Sequence, residues 1–200
     1  ELEVDNFDKH SLHCVIKHIP SNTYAGTVRV VRSRSEDEKL PIEEHCLKAI
    51  SNDEIHPSNF PRESICEISR LAIPKEFRHR NAEKFKRFDN GKMSVGICTN
   101  NELRCSPFIS LGLYLSAASV IIHEKMEHCF VMMEPRLARS LSFVGIKFKQ
   151  IGPVIEYHGQ RAPYYINPQM LRESLPKGFS KMMENIDKEL IEQFRQNQSL

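Results

Sequence analysis

The segment from Ser64 to Ile73, SICEISRLAI, alternates in character along its length and then meets Pro74. A period of two sends successive side chains to opposite faces, so the segment is a strand, and Pro74, which has no N–H for a ladder, closes it. Downstream, Phe108 to Glu127 is an apolar run with small residues at Gly112, Ser116, Ala117 and Ala118. That pattern predicts a helix able to approach a sheet closely. At about 20 residues it would be about 30 Å long, enough to cover a sheet face. A strand from Cys129 to Met133 follows, and strand–helix–strand predicts a crossover in a mixed sheet. The class is α/β (α+β).

Other segments fit around this unit. Gly26 to Val31 is short and β-branched, predicting a strand, whereas Asp8 to Ile19 suits helix or extended chain. Ser33 to Lys39 is a polar loop, Pro41 opens a short helix, and Ser51 to Arg62, broken by Pro57 and Pro61, is a loop within the domain. Arg136 to Phe143 predicts a helix ending near Gly145. Ile146 to Ile151, Val154 to Tyr157 and Tyr164 to Ile166 predict further strands. Phe179, Met182, Met183, Ile186, Leu190 and Phe194 recur at helical spacing, so the tail is an amphipathic helix over about 179–194. With 200 residues and no repeat, residues 1–200 are expected to form a single domain.

A net charge of only +2 favours neither nucleic acid nor an anionic membrane as partner. The apolar stretch from Phe108 to His123 is too short to span a bilayer. No signal peptide is visible from Glu1, and the six cysteines lack a CxxC pair and sit mostly in apolar runs. They are expected to be reduced, buried thiols of a cytoplasmic protein. His10-x-x-His13-Cys14 and His45-Cys46 lack a second ligand pair at zinc-site spacing, so no metal site is expected. Cys66, beside Glu67, with His45 or His79 as base, is a weaker candidate nucleophile, because strand cysteines are usually inert.

Four motifs follow in order: Glu3-x-Asp5-x-Phe7-Asp8 before a strand bearing Gly26-Thr27-Val28-Arg29; Leu40-Pro41-Ile42-Glu43; Glu67-Ile68-Ser69-Arg70-Leu71-Ala72-Ile73; and Gly152-Pro153-Val154-Ile155-Glu156-Tyr157-His158-Gly159-Gln160-Arg161-Ala162-Pro163-Tyr164. The succession, over roughly residues 3 to 166, resembles the acyl-homoserine-lactone synthases and N-acyl amino acid synthases of the GNAT superfamily. It is most similar to the PEP-CTERM/exosortase-associated acyltransferases. The resemblance implies a GNAT-like acyltransferase fold, a central mixed sheet splayed in a V and flanked by helices, into which the donor's pantetheine arm inserts along the strand bearing Leu71 and Ile73. It also implies a bulge in that strand freeing a backbone N–H near Ala72, and an N-terminal lid of Asp5, Phe7 and Asp8 with Arg29 over the acceptor.

Acetyl-CoA-binding GNAT enzymes follow that strand with a glycine-rich loop for the pyrophosphate. The corresponding segment here, Phe77-Arg78-His79-Arg80-Asn81-Ala82, has no glycine. A donor without a pyrophosphate fits better: the acyl-phosphopantetheine of an acidic acyl carrier protein, meeting Arg78, Arg80, Lys84, Lys86 and Arg87. No tightly bound cofactor is expected, and acyl-CoA is the alternative donor.

Acyl transfer to an amine requires a group to take its proton and donors for the oxyanion. Glu67 is the candidate base, Ala72 N–H the candidate oxyanion donor, and Arg70 an anchor for substrate or for the acidic N-terminal residues. Equally, Glu67 and Arg70 could form a structural ion pair. The helix from Phe108 to Ile122 and the strand Phe130 to Met133 could wall an acyl pocket, although most of these residues must be core. The reaction expected is N-acyl transfer from carrier protein to a small-molecule amine, an amino acid or a homoserine-lactone precursor among them. A CoA-dependent N-acetyltransferase and a non-catalytic acyl- or carrier-binding GNAT domain are the alternatives.

Overall fold

The computed structural model describes residues 4–19, 21–78 and 107–197. A 3₁₀ turn at Asn6–His10 leads into β1 (Ser11–His18), which pairs antiparallel with β2 (Thr23–Arg32). The short helix α1 (Pro41–His45) and a loop with three 3₁₀ turns precede β3 (Ile65–Ala72). Then come α2 (Lys75–Arg78), α3 (Pro107–His123), β4 (His128–Met133), α4 (Pro135–Phe143), β5 (Lys149–Gln150), β6 (Ile155–Glu156), β7 (Gln160–Ile166), α5 (Pro168–Ser174) and α6 (Lys177–Asn197). The sheet runs β1-β2-β3-β4-β7-β5, with β6 also on β7, and among the described residues only β3 and β4 pair in parallel.

That parallel pair holds over three residue pairs, Ile65↔His128, Cys66↔Cys129 and Glu67↔Phe130. Beyond Glu67, β3 stays on β2 while β4 follows β7, so the two central strands part and the sheet opens as a V. The expected mixed, splayed sheet flanked by helices is therefore present.

Alternation sorts the core into two layers. Val28, Val30, Cys66, Ile68, Cys129 and Val131 face α3, whereas Val31, Ile65, Phe130 and Met132 face Leu40, Ile42 and Phe7 on the other side. Helix α3 is apolar all round because α6 covers the side that the sheet does not. Ser119, buried between them, donates its hydroxyl to Asp187 of α6 at 2.5 Å. Close packing is set by Gly26: a Cβ there would stand 2.9 Å from Leu113 Cδ1 and 3.1 Å from Ala72 O.

Several boundaries differ from expectation. Helix α3 stops at His123, before Glu127, because Lys125 takes a left-handed conformation (φ 60°). Met126 N–H then bonds Ile121 O and Lys125 N–H bonds Ile122 O, a Schellman closure. Gly145 (φ 89°) closes α4 in the same way. The run from Ile146 to Ile151 forms strand only at Lys149–Gln150, with Ile151 N–H adding a bond to Pro163 O at 3.0 Å, and Val154 to Tyr157 only at Ile155–Glu156, since Gly152-Pro153 interrupts the ladder. The short helix α5 has no counterpart in the sequence reading.

Candidate functional site

The site lies on the α1 side of the sheet, where β3 and β4 part. Asp5 caps the first turn, accepting from Phe7 N–H at 3.0 Å, and its own N–H donates to Asp8 Oδ2 at 2.9 Å. This local box holds two carboxylates side by side against β2. Arg29, 3% exposed, donates from Nη1 to Asp5 Oδ1 at 2.7 Å and Asp8 Oδ1 at 2.8 Å, and from Nε to Ser69 Oγ at 3.0 Å. Backbone donation from Asp5 and the bond from Arg29 keep the Asp8 carboxyl below its usual range. Burial works against the Arg29 charge, but hydrogen bonds to Asp8 and Asp5 outweigh it.

Arg70 reaches the same carboxylates through a bulge. Arg29 stands opposite Ser69 and Thr27 opposite Ala72, so β3 carries one more residue than β2 across this interval. The extra length is absorbed at Arg70, whose φ is 50°. Its Nη2 donates to Asp5 Oδ2 at 2.9 Å, and Nη1 lies 3.6 Å from Asp8 Oδ2. The bulge expected near Ala72 is present, and the two arginines and two aspartates balance in charge.

Glu67 does not join that cluster, so the Glu67–Arg70 ion pair considered from the sequence is absent. Glu67 sits opposite Val31 of β2 and Phe130 of β4, 3% exposed. Among the described residues its carboxylate accepts one hydrogen bond, from Ile42 N–H to Oε2 at 2.6 Å, in the first turn of α1. Burial pushes its carboxyl up to about 8, against the Ile42 bond and the more distant Arg29 charge. Glu43, the acid of the LPIE segment, points elsewhere: it caps Leu40 N–H at 2.8 Å and grips Arg62 at 2.7 and 3.0 Å. It is a structural residue.

Aromatic groups wall this face. Phe7 meets His45 edge-on at 5.9 Å, His45 stacks on Tyr157 at 6.2 Å, and the Arg29 guanidinium lies 5.9 Å over the Phe7 ring. Burial, and next the Glu67 charge, push the Cys46 thiol up to about 11. Cys66 faces the opposite, α3 layer, away from His45 and Glu67. Burial and its neighbour Cys129 hold its thiol well above the usual range, an inert group rather than a nucleophile. Cys14, Cys46, Cys66 and Cys129 are all free and buried, and no metal-holding group occurs among the described residues. Cys46, Tyr157 and Arg161 were not among the expected site residues, although Tyr157 and Arg161 belong to the final motif, and His45 entered only as a base for Cys66.

On the α3 side of the V lies an apolar cavity of about 30 Å³, lined by Tyr114, Ala118, Ile121 and Ile122 of α3, with Ile68 and Cys129 from the parting strands. The α3 wall is as expected, but Phe130 and Met132 face the opposite layer and cannot line it. Leu71 and Ile73 pack on the α3 side, and Ala72 is exposed beyond the bulge. Arg78 ends α2, while Arg80, Lys84 and most of the basic segment lie outside the described residues. No described helix is long and apolar enough to cross a membrane.

The model of an acetyltransferase (GNAT) domain matches residues 1–86. No curated protein matches the sequence. Among solved structures, the acyl-homoserine-lactone (AHL) synthase LasI is 13% identical over 88% of this chain and 76% of its own, with a TM-score of 0.58. TofI in an apo form is 11% identical over 89% and 81%, with a TM-score of 0.57. BjaI, a CoA-dependent acyl-homoserine lactone synthase solved with SAM and isopentyl-CoA, is 13% identical over 91% and 69%, with a TM-score of 0.55. At such identities the likeness is one of fold: this chain has a GNAT-like fold.

Proposed function

We propose that this chain is an N-acyltransferase that moves a long-chain acyl group from the phosphopantetheine of an acyl carrier protein to the amine of a small molecule. The observation that carries the reading is the buried Glu67 carboxyl, with no paired cation among the described residues, at the point where β3 and β4 part. The motif order, rather than any comparison, is what favours the PEP-CTERM/exosortase-associated group within this fold.

In this reading the donor's extended arm lies in the V beside Leu71 and Ile73, and its acyl chain enters the α3-side cavity by displacing lining side chains. Glu67, with a pKa of about 8, takes a proton from the acceptor ammonium, and a base titrating near the working pH serves this step best. The neutral nitrogen forms a bond to the thioester carbon, and the carbon–sulfur bond then breaks. The nitrogen gives up its second proton, which the departing pantetheine thiolate takes up, leaving amide and thiol. Backbone N–H groups past the Arg70 bulge, Ala72 foremost, stabilise the oxyanion. Asp5, Asp8, Arg29 and Arg70 tie the N-terminal turn down beside the acceptor.

CoA is the second donor to consider, because BjaI is CoA-dependent. Intact-mass analysis of products from a long-chain acyl-carrier donor and its matching acyl-CoA, each with pooled amines, separates the readings. The carrier donor should have the larger kcat/KM, and reversing Arg78, Arg80 and Lys84 to Glu should raise the KM for the carrier and flatten its salt dependence. Equal kcat/KM for both donors would remove the carrier preference. Absence of any acylated product would remove the enzymatic reading.

A further inference from the structure

The two chain segments that meet at the Glu67 hydrogen bond are also joined by an ion pair just outside it. Ile42, whose N–H meets Glu67 Oε2 at 2.6 Å, directly precedes Glu43 on α1. Arg62 stands in the 3₁₀ turn that leads into β3, the strand bearing Glu67. It clasps Glu43 with two prongs, Nη1 to Oε1 at 2.7 Å and Nη2 to Oε2 at 3.0 Å. Its Nη2 also donates to Glu38 O at 2.7 Å, and Glu43 Oε2 accepts from Leu40 N–H at 2.8 Å. The two side chains are only 10% and 13% exposed, so the planar fork makes a directional tie and not a loose surface contact.

Helix α1 needs such a tie. It is 5 residues long, and a helix of that length does not hold itself in water. The N–H groups of a first helical turn have no partner within the helix, and Glu67 meets that of Ile42. Glu67 Oε2 is thereby occupied, and among the described residues no donor meets Oε1, which is left to receive a proton. The charged and titratable groups that act with Glu67 are Arg29 on β2, Glu43 and Cys46 on α1, Tyr157 just past β6, and Cys66 beside it on β3. The Ile42 bond favours the ionised carboxyl and the Glu43 charge disfavours it. Arg62 acts on both, for it holds the turn that aims the first and sits against the second.

We infer that Arg62 is a positioning residue for Glu67: its fork on Glu43 holds the first turn of α1 so that Ile42 N–H occupies one carboxylate oxygen and leaves the other for the incoming proton. This deepens the proposed N-acyl transfer and rests on it only for the source of that proton. Arg62 acts through Glu43 and Ile42, not on the reacting atoms. Lysine in its place would keep the charge but could not grip both oxygens of Glu43 and the Glu38 carbonyl in one plane.

The test uses the full chain with two changes, Arg62→Lys and a backbone ester at Ile42, introduced as the α-hydroxy acid, which removes the N–H itself. Glu67 is followed by the carboxyl carbon resonance of glutamate-labelled protein, assigned by its loss in Glu67→Gln. Each change should raise the pH of half-titration, by roughly 0.5–1 unit for Arg62→Lys and about 1 unit for the ester. Carried together they should give no more than the ester alone, because Arg62 works through the donor that the ester removes. In turnover the same shift lowers kcat/KM for the acceptor roughly 3- to 10-fold at pH 7 and leaves its high-pH plateau unchanged. A merely structural arginine would lower activity at every pH alike and leave the Glu67 titration where it is. An unmoved titration in either single change, or shifts that add in the combined protein, would overturn the inference. If no donor yields product, the transferase reading fails separately, and the titration still decides this one.

Discussion

Replacing Glu67 by Gln removes a proton acceptor from the middle of the candidate site while keeping size and shape. The carboxyl titrates at about 8 in the fold against 4.5 when exposed, because burial disfavours its charge. Between these values the native state holds a proton that the unfolded chain has released, so wild-type stability declines as pH rises. At about 1.4 kcal/mol for each pH unit of difference, the whole effect is roughly 5 kcal/mol, present in full below pH 4.5 and lost by about pH 9. Gln does not titrate, and its amide oxygen can still accept from Ile42 N–H. Relative to wild type, Glu67→Gln should therefore gain roughly 2–3 kcal/mol between pH 6 and pH 9. In a chain of this size that is about 5–10 °C in Tm, read by thermal melts across pH. Turnover should move the other way, falling roughly 10²–10⁴-fold, while wild-type kcat/KM for the acceptor climbs with pH, half-maximal near 8 and levelling off above about 9. Arg70 is not stranded by the change, since its carboxylate partners are Asp5 and Asp8. Near-wild-type turnover in a folded Glu67→Gln would refute the base role. A Tm difference constant from pH 6 to 9 would refute the buried, raised carboxyl itself.

Two further substitutions probe the frame around the site. Gly26→Val should destabilise by about 1–3 kcal/mol, because its Cβ would meet Leu113 Cδ1 at 2.9 Å and the Ala72 carbonyl at 3.1 Å; denaturant midpoints read the loss. Ala118→Phe should fill the α3-side cavity and shift donor preference toward shorter acyl chains, seen as a lower kcat/KM for long-chain but not short-chain carrier donors. An unchanged chain-length profile would place the acyl chain elsewhere.

What the sequence alone determined is what local periodicity and local chemistry carry. The alternation of Ser64 to Ile73, the apolar run after it and the strand at Cys129 specify β3, α3 and β4 and their crossover, because each pattern is written within a few residues of chain. Lys125 at a left-handed helix end left no such trace, since glycine is the usual signal there and the residue is a lysine. Asp5, Asp8, Arg29 and Arg70 were legible as a motif, but which charge meets which was not. Pairing depends on the β2–β3 register and on one bulged residue, which together send Arg70 to the aspartates instead of to Glu67. The state of Glu67 was equally out of reach, because desolvation belongs to the assembled core of Val31, Ile42 and Phe130 around it and not to its neighbours in sequence. Arg161, 94 positions along the chain from Glu67 by the numbering, comes to the same sheet face only when β7 is laid beside β4, for strand pairing alone sets two distant residues on one face.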